Sequence, residues 1–253
     1  MNRSIDRGIL ALARQARISA TSCLPKGAAF LHDAPALAEL AIEKGLHLNL
    51  TEAQTGTRFY QPLPALIRHC YLRKVDTDLI RSEIEEQCDG FESAFGEPPD
   101  YVDGHQHVHQ LPVVRDLLLQ VLKHRYGSEH LWFRSTRAPH GLVPFGDWFK
   151  AKIIDTLGAG NLLRQAKIAG FRTSRCLLGV YDFSGGQQQY LARLDAWIKL
   201  ASAGDVLMCH PAQGTEAEDP IAHQREVEFA VLSDPSVNDL LAKHHARIAG
   251  SVV

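Results

Sequence analysis

The sequence contains no long hydrophobic segment. No apolar run approaches the roughly 18 residues that a membrane-spanning helix needs, so we expect no membrane partner. The chain opens with MNRSIDRGIL, which has neither an apolar core nor a small-residue cleavage site. We therefore expect no secretory signal.

Cysteine is scarce and scattered. The five cysteines, at positions 23, 70, 88, 176 and 209, are odd in number and form no C-x-x-C pair. A disulfide framework would require an even set at regular spacing, so the pattern argues against one. A reduced, cytoplasmic protein is expected.

Strong charge of one sign is also missing. The 27 basic and 29 acidic residues give a formal net charge of −2, which provides no overall attraction to nucleic acid. Nucleic acid is therefore not an expected partner. The Gly185-Gly186 pair lacks the G-x-x-x-x-G-K-[ST] context, so we predict no phosphate-binding loop.

The composition is that of an ordinary globular protein, with 45% hydrophobic and 22% charged residues. A length of 253 residues suits one α/β barrel, and no repeat or low-complexity linker divides the chain. We predict a single domain over residues 1–253. Its strand–helix alternation indicates an α/β fold with a mostly parallel sheet.

Periodicity and turn residues give the expected elements. We predict a first helix from residue 5, an irregular segment at 53–75 and a loop at 139–145. In parallel α/β folds functional groups lie at the carboxyl ends of strands. Strands are predicted at 18–24, 45–52, 130–137, 173–180, 204–212 and 246–253, and helices at 34–44, 76–95, 112–124, 148–157, 162–169, 187–201 and 222–245.

The segment 101–112 carries the densest chemistry, with Asp103, His105, His107 and His109 at alternate positions. A fully extended run would send all four to one side, whereas a helix would align only His105 and His109. Gly104 and Pro112 indicate instead a strand end that leads into a loop. Imidazoles beside a carboxylate suit a divalent metal, although the spacing matches no zinc finger and a hydrated histidine-rich loop is the alternative.

Other polar side chains follow other predicted strands. His47 and Asn49 occupy the polar face of the alternating strand 45–52, where a lone histidine is more often a core residue. Arg134 could clamp a substrate or pair with a carboxylate, and pairing is the favoured interpretation. His210 ends the buried strand 204–212. Their shared position at strand ends favours a metal hydrolase over scattered structural histidines.

Three stretches resemble the YdjC/ChbG carbohydrate deacetylases in combination. They are GLHLNLT at 45–51, DGHQHVH at 103–109 and MCHPA at 208–212, and residues 2–24 resemble the segment after that family's first strand. The resemblance implies an irregular TIM-like (β/α) barrel. It also implies removal of acetyl groups from N-acetylated sugars, such as chitooligosaccharides, with a divalent metal ion, Mg or Zn.

By position, the resemblance implies that His47 and His105 bind the metal. His210 matches the histidine near the reaction centre, and Asp103 stands where a supporting carboxylate would. We assign both to catalysis, with Asp103 expected to orient a histidine rather than act as the base. Arg134 and Asn49 are predicted to bind substrate.

One departure concerns the family's first strand, which ends in Asp-Asp-Phe-Gly. That motif does not precede residues 2–24 here, so we expect a barrel without its first strand and weak or no activity. The expected partner is a small-molecule N-acetyl sugar, and a homodimer is one expected assembly. The alternatives are a metal-dependent hydrolase of another amide or ester and a non-catalytic sugar-binding relative.

Overall fold

The computed structural model of the chain describes residues 2–139 and 145–250. Helices and strands alternate along it, as the sequence predicts. The helices are α1 (Arg3–Arg14), α2 (Phe30–Ala38), α3 (Leu63–Tyr71), α4 (Thr77–Phe95), α5 (Val114–Tyr126), α6 (Phe145–Thr156), α7 (Ala159–Ala169), α8 (Gln187–Leu200), α9 (Ala222–Ser233) and α10 (Ser236–Lys243). The strands are β1 (Ala20–Cys23), β2 (Glu43–Leu48), β3 (Tyr101–Gly104), β4 (Trp132–Phe133), β5 (Arg172–Thr173), β6 (Leu177–Leu178) and β7 (Val206–Leu207).

The described strands form two parallel sheets. One has the order β1-β2-β3-β4-β5, and the other pairs β6 with β7. The α/β class and the parallel sheet are therefore confirmed. A closed TIM-like barrel is not confirmed, because no strand pairing joins the two sheets within the described residues.

The prediction of a single strand at 173–180 is wrong, because this segment divides into β5 and β6. The Ser174 N–H still donates to the Phe133 carbonyl at 3.0 Å, whereas the Arg175 N–H donates to the Gly204 carbonyl at 2.7 Å. The chain thus leaves β4 and joins the β7 side within two residues. This step separates the two sheets.

Several boundaries also differ from the sequence predictions. The segment 53–75 contains α3, whose second residue, Pro64, suits a first helical turn. The helix predicted at 34–44 begins and ends earlier as α2, and β2 already starts at Glu43. No strand forms at 246–250. Residues 251–253 and most of the loop predicted at 139–145 lie outside the described residues.

The helix predicted at 76–95 is confirmed as α4. The Asp76 carboxylate accepts from the N–H groups of Asp78 and Leu79, at 3.1 and 3.0 Å, and so caps the first turn. Gly96 ends the helix with a φ of 73°, which glycine adopts without a Cβ penalty. Local sequence alone therefore fixes both ends of this element.

Each sheet has its own hydrophobic cluster. Residues such as Leu46, Val102 and Phe133 pack with α4 and α5 in the larger cluster. Leu178 packs with Leu194 and Val231 in the cluster around α8 and α9. Each buried side chain of this size contributes about 1.5–3 kcal/mol. None of the described helices combines the length and apolar character needed to cross a membrane.

Candidate active site

Asp103, at the end of β3, is the centre of a buried hydrogen-bond network. Its Oδ1 accepts from His47 Nδ1 at 2.6 Å. Its Oδ2 accepts from Arg134 Nε at 2.7 Å and from Ser22 Oγ at 3.1 Å. The parallel register sets His47 directly opposite Asp103, so their side chains leave the sheet on the same face. Groups from β1, β2, β3 and the end of β4 thus meet at one carboxylate.

The electrostatics keep this carboxylate ionised. Burial alone would raise the pKa of Asp103, but the charges of His47 and Arg134 outweigh burial and hold the pKa well below its usual range. Both oxygens accept hydrogen bonds from protein donors. Asp103 is therefore built to orient His47 and Arg134 rather than to take up a proton.

His47 and His105 lie edge to face beside this network, with ring centroids 5.6 Å apart. The Nδ1 hydrogen bond to Asp103 leaves Nε2 of His47 as its available nitrogen. Burial lowers the pKa of His47, although the charge of Asp103 opposes this, so the ring is neutral near pH 7. A neutral imidazole with one free nitrogen has the chemistry of a metal ligand.

Glu52 is a member of this site that the sequence reasoning missed. His105 Nε2 donates to Glu52 Oε1 at 3.0 Å, and this hydrogen bond holds the pKa of Glu52 below its usual range. Glu52 lies just beyond β2, on the opposite side of the alternation from His47 and Asn49. A period-two pattern therefore gave no signal for it, because the backbone turns after Asn49.

Asn49 builds that turn. Its Oδ1 accepts from the N–H groups of Thr51 and Glu52, both at 3.1 Å, and its Nδ2 donates to the Glu52 carbonyl at 2.8 Å. The residue is only 2% exposed. These contacts give Asn49 a supporting role, and substrate binding by its side chain stays a prediction.

Helix α4 holds this turn from behind. Gln87 accepts from the Asn49 N–H at 3.0 Å and donates to the Asn49 carbonyl at 2.7 Å. It also donates to Glu83, which is fully buried and whose carboxylate accepts a hydrogen bond from Lys26 Nζ at 2.9 Å. The carboxyl end of β2 is thus fixed by a side chain that pairs with its backbone.

The segment after β3 is strained and folds back on itself. Gln106, His107 and Val113 have φ values of 50°, 63° and 70°, in a region that non-glycine residues rarely occupy. Each such residue costs on the order of 1–3 kcal/mol. The predicted strand end leading into a loop is confirmed, because β3 stops at Gly104 and a 3₁₀ turn follows at His105–Gln110. The four polar groups therefore do not share one face.

His107 and His109 support the buried Arg134. Arg134 Nη1 donates to His107 Nδ1 at 3.3 Å, and His109 Nε2 donates to the Arg134 carbonyl at 2.9 Å. Burial lowers the pKa of His109 to about 3, with the Arg134 charge acting in the same direction. The carboxylate pairing favoured for Arg134 is what the structure shows, through Asp103. Its binding of substrate stays a prediction.

His210 approaches from the other sheet, three residues beyond β7. Its Nδ1 is buried and has no hydrogen-bond partner among the described residues. Its ring meets Phe183 edge to face at 4.9 Å. Burial lowers the pKa of His210 to about 3, and the charges of Arg225 and His47 add to this. The influence of His47 indicates that the strand ends of both sheets face one region.

The residues fit part of a divalent-metal site. His47 and His105 are two imidazole donors, and Asp103 on His47 is the carboxylate–histidine arrangement common behind metal ligands. Within 2–139 and 145–250, no group of three His, Cys, Asp or Glu side chains is arranged to hold a metal ion. A catalytic zinc ion takes three protein ligands and a water, so this pair would supply two of the three.

Comparison with known proteins gives matches over most of the chain. The family model described as YdjC-like protein matches residues 1–243. A chitooligosaccharide deacetylase of Enterobacter sp. (strain 638) is 25% identical over 98% of this chain and 92% of its own. A human carbohydrate deacetylase is 28% identical over 84% of this chain and 64% of its own.

A solved structure supports the fold. It is the crystal structure of a protein described as a cellobiose-phosphate cleavage protein from Enterococcus faecalis V583, with a TM-score of 0.70 and 18% identity. The match covers 98% of this chain and 92% of that one. Because the family model matches residues 1–243, the chain belongs to the YdjC-like family.

Proposed function

We propose that this chain is a carbohydrate deacetylase, a hydrolase that removes acetyl groups from N-acetylated sugars of the chitooligosaccharide type. The observation that carries the proposal is the Asp103 network, which holds His47 beside His105. The names of the two deacetylase relatives support the same reaction.

We further propose that His47 and His105 bind a divalent metal ion. Imidazole donors suit zinc better than magnesium, which prefers oxygen ligands. Such an ion would supply Lewis-acid chemistry at the acetamide carbonyl and would activate water for attack. Asp103 keeps the Nδ1 proton on His47, so the Nε2 lone pair would be free to hold such an ion. Arg134 in turn balances the charge of Asp103.

His210 is the proposed proton-transfer residue. Its buried Nδ1 has no hydrogen-bond partner among the described residues, so the ring is placed to carry a proton from the attacking water to the departing amine nitrogen. Asp103 is a poor candidate for this step, because its oxygens already accept hydrogen bonds from His47, Arg134 and Ser22. His210 would then act first as the general base and afterwards as the general acid.

The test is acetate release from N-acetylglucosamine oligomers during a metal titration. We expect weak acetate release that rises with zinc or magnesium and that falls at least about tenfold in His105→Ala. His124→Ala is the matched control, because His124 is exposed in the last turn of α5. Equal acetate release by the wild type and His105→Ala, or none from any oligomer with either metal, would contradict the proposal.

A further inference from the structure

Glu228, in α9, is a fully buried carboxylate that contacts the backbone of the proposed reaction centre. The residue is 0% exposed. Its Oε2 accepts from the His210 N–H at 2.5 Å, and its Oε1 accepts from the Tyr181 hydroxyl at 2.5 Å. Both oxygens are thus committed to donors from the β6–β7 side of the molecule.

The same helix holds the residues around His210. Arg225 Nη1 donates to the His210 carbonyl at 3.2 Å, and the Ala212 N–H donates to the Arg225 carbonyl at 3.2 Å. Asp219 fixes the guanidinium through Arg225 Nε at 2.6 Å. On the opposite side, a Cβ on Gly8 of α1 would lie 2.8 Å from the Ala212 Cα. The segment 210–212 is therefore clamped between two helices.

Packing alone does not explain a glutamate at position 228. Its neighbours on the buried face of α9, Val227, Val231 and Leu232, belong to an apolar cluster that a leucine would extend. Burying a carboxylate without a cationic partner is unfavourable, and only its hydrogen bonds offset that cost. One of those bonds goes to His210, which suggests why the carboxylate is there.

We propose that Glu228 is a positioning residue that fixes the backbone at His210 and thereby aims its imidazole at the substrate amide. This inference rests on the proposed function, because it assigns His210 to proton transfer. Glu228 itself does not touch the reacting atoms. Its loss should therefore lower kcat and leave KM nearly unchanged.

Three substitutions separate positioning from general stability. Glu228→Leu removes the acceptor, and Glu228→Asp keeps the charge but shortens the side chain by one methylene, so both should lower kcat about 10–100-fold. Glu228→Gln keeps a carbonyl oxygen for the His210 N–H and an amide that can donate to Tyr181, so it should rescue kcat to within about threefold. If Glu228→Leu does not fold, the test compares kcat between Glu228→Asp and Glu228→Gln.

Tyr181→Phe is the matched control. It removes the other hydrogen bond to the same carboxylate without touching His210. We expect a lower Tm but a kcat within about twofold of the wild type. If Tyr181→Phe lowers kcat as much as Glu228→Asp, or if Glu228→Asp keeps full kcat, Glu228 acts through stability and the proposal is wrong.

A measurement independent of activity separates this inference from the proposed function. A short hydrogen bond to a carboxylate shifts a backbone amide proton downfield, so the His210 amide should resonate far downfield in the wild type. In spectra recorded well above pH 7, where Glu228 is ionised in both chains, it should move upfield in Glu228→Asp and stay in Tyr181→Phe. An unmoved His210 amide would refute the positioning role, whereas absent acetate release with a moved amide would refute only the deacetylase assignment.

Discussion

Two carboxylates, one beside each sheet, are buried to a similar degree, but their pKa values are shifted in opposite directions. Asp103 is 3% exposed and Glu228 is 0% exposed. Asp103 pairs with the Arg134 guanidinium, and its pKa lies well below the usual range. Glu228 accepts from a hydroxyl and a backbone N–H, and burial raises its pKa to about 7. Pairing with a cation, rather than depth, decides which carboxylate is ionised.

The two carboxylates also act on different parts of their targets. Asp103 bonds to side chains, so it sets the tautomer of His47 and the position of Arg134. Glu228 bonds to the main chain of His210 and leaves that imidazole free to exchange protons. A ligand histidine needs a fixed ring, whereas a proton-transfer histidine needs a fixed backbone and a free ring. The difference between the sheets matches the difference between the proposed roles.

Removing the charge of Asp103 should give the largest effect. Asp103→Asn leaves Arg134 buried without its counter-ion, and breaking such a pair costs about 3–5 kcal/mol. It also removes the acceptor that selects the His47 tautomer, so metal affinity should fall about 10–100-fold. Urea unfolding and isothermal titration with zinc measure the two losses. Asp89→Asn, at an exposed pair with Arg125, is the control and should cost less than about 1 kcal/mol.

Glu228 should make the protein less stable as the pH rises from about 4.5 to about 7. Its ordinary pKa is 4.5 and its folded pKa about 7, so in that window the folded chain keeps a proton that the unfolded chain releases. Its stabilising contribution is complete below pH 4.5 and lost above 7, a decrease of about 3 kcal/mol. Tyr181, Tyr190 and Cys209 face Glu228 and stay neutral there because burial raises each pKa, and the Arg225 guanidinium also acts on Glu228.

Glu228→Gln is the control for this pH dependence, because an amide does not titrate. The wild type and Glu228→Gln are compared by urea unfolding at pH 4.5, 6 and 7.5. Asp6, whose pKa burial also raises to about 7, contributes the same slope to both chains and cancels in the difference. A wild-type curve parallel to that of Glu228→Gln would show that folding does not raise the pKa of Glu228. Asp103 adds no slope in this window, because its contribution is lost only as the pH falls through its lowered pKa.

The strand-end residues of the site could be predicted from sequence, but their supports could not. Period-two alternation and turn residues locate His47, Asp103 and Arg134, because those signals are local. Glu228 lies in an ordinary helical segment, and only the folded chain shows that it is buried and bonded to His210. Ser22 was visible as part of a strand, but its contact with Asp103 depends on strand pairing.

The path of the chain after β3 was likewise beyond local sequence. The positive φ values at Gln106, His107 and Val113 contradict the preferences of those residues. Arg134, just beyond β4, holds the turn at 104–109 through hydrogen bonds with Gly104, His107 and His109. Long-range contacts override local preference here, and the division of the predicted strand at 173–180 has the same kind of cause.

The support behind β2 should give an intermediate effect. Gln87→Leu keeps the helical propensity of α4 but leaves the N–H and carbonyl of Asn49 buried without their partners. An unsatisfied buried group costs about 1–3 kcal/mol, so we expect a loss of about 2 kcal/mol in urea unfolding. Glu85→Leu, on the exposed face of the same helix, is the control and should change stability by less than about 0.5 kcal/mol. Equal losses would mean that α4 does not hold the β2 turn.

The smallest effects are expected from removing one hydroxyl donor from each of the two buried carboxylates. Ser22→Ala removes one of three donors to Asp103, and Tyr181→Phe removes one of two donors to Glu228. Each substitution should lower the free energy of unfolding by about 1–2 kcal/mol at pH 5.

The pH dependence of stability should differ between the two variants. Asp103 keeps Arg134 and stays ionised, whereas Glu228 loses a donor that favours its charged form. In urea unfolding from pH 4.5 to 8, Ser22→Ala should parallel the wild type and Tyr181→Phe should show its decline extended to higher pH. Matching curves for the two variants would mean that the cation at Asp103 does not control its ionisation.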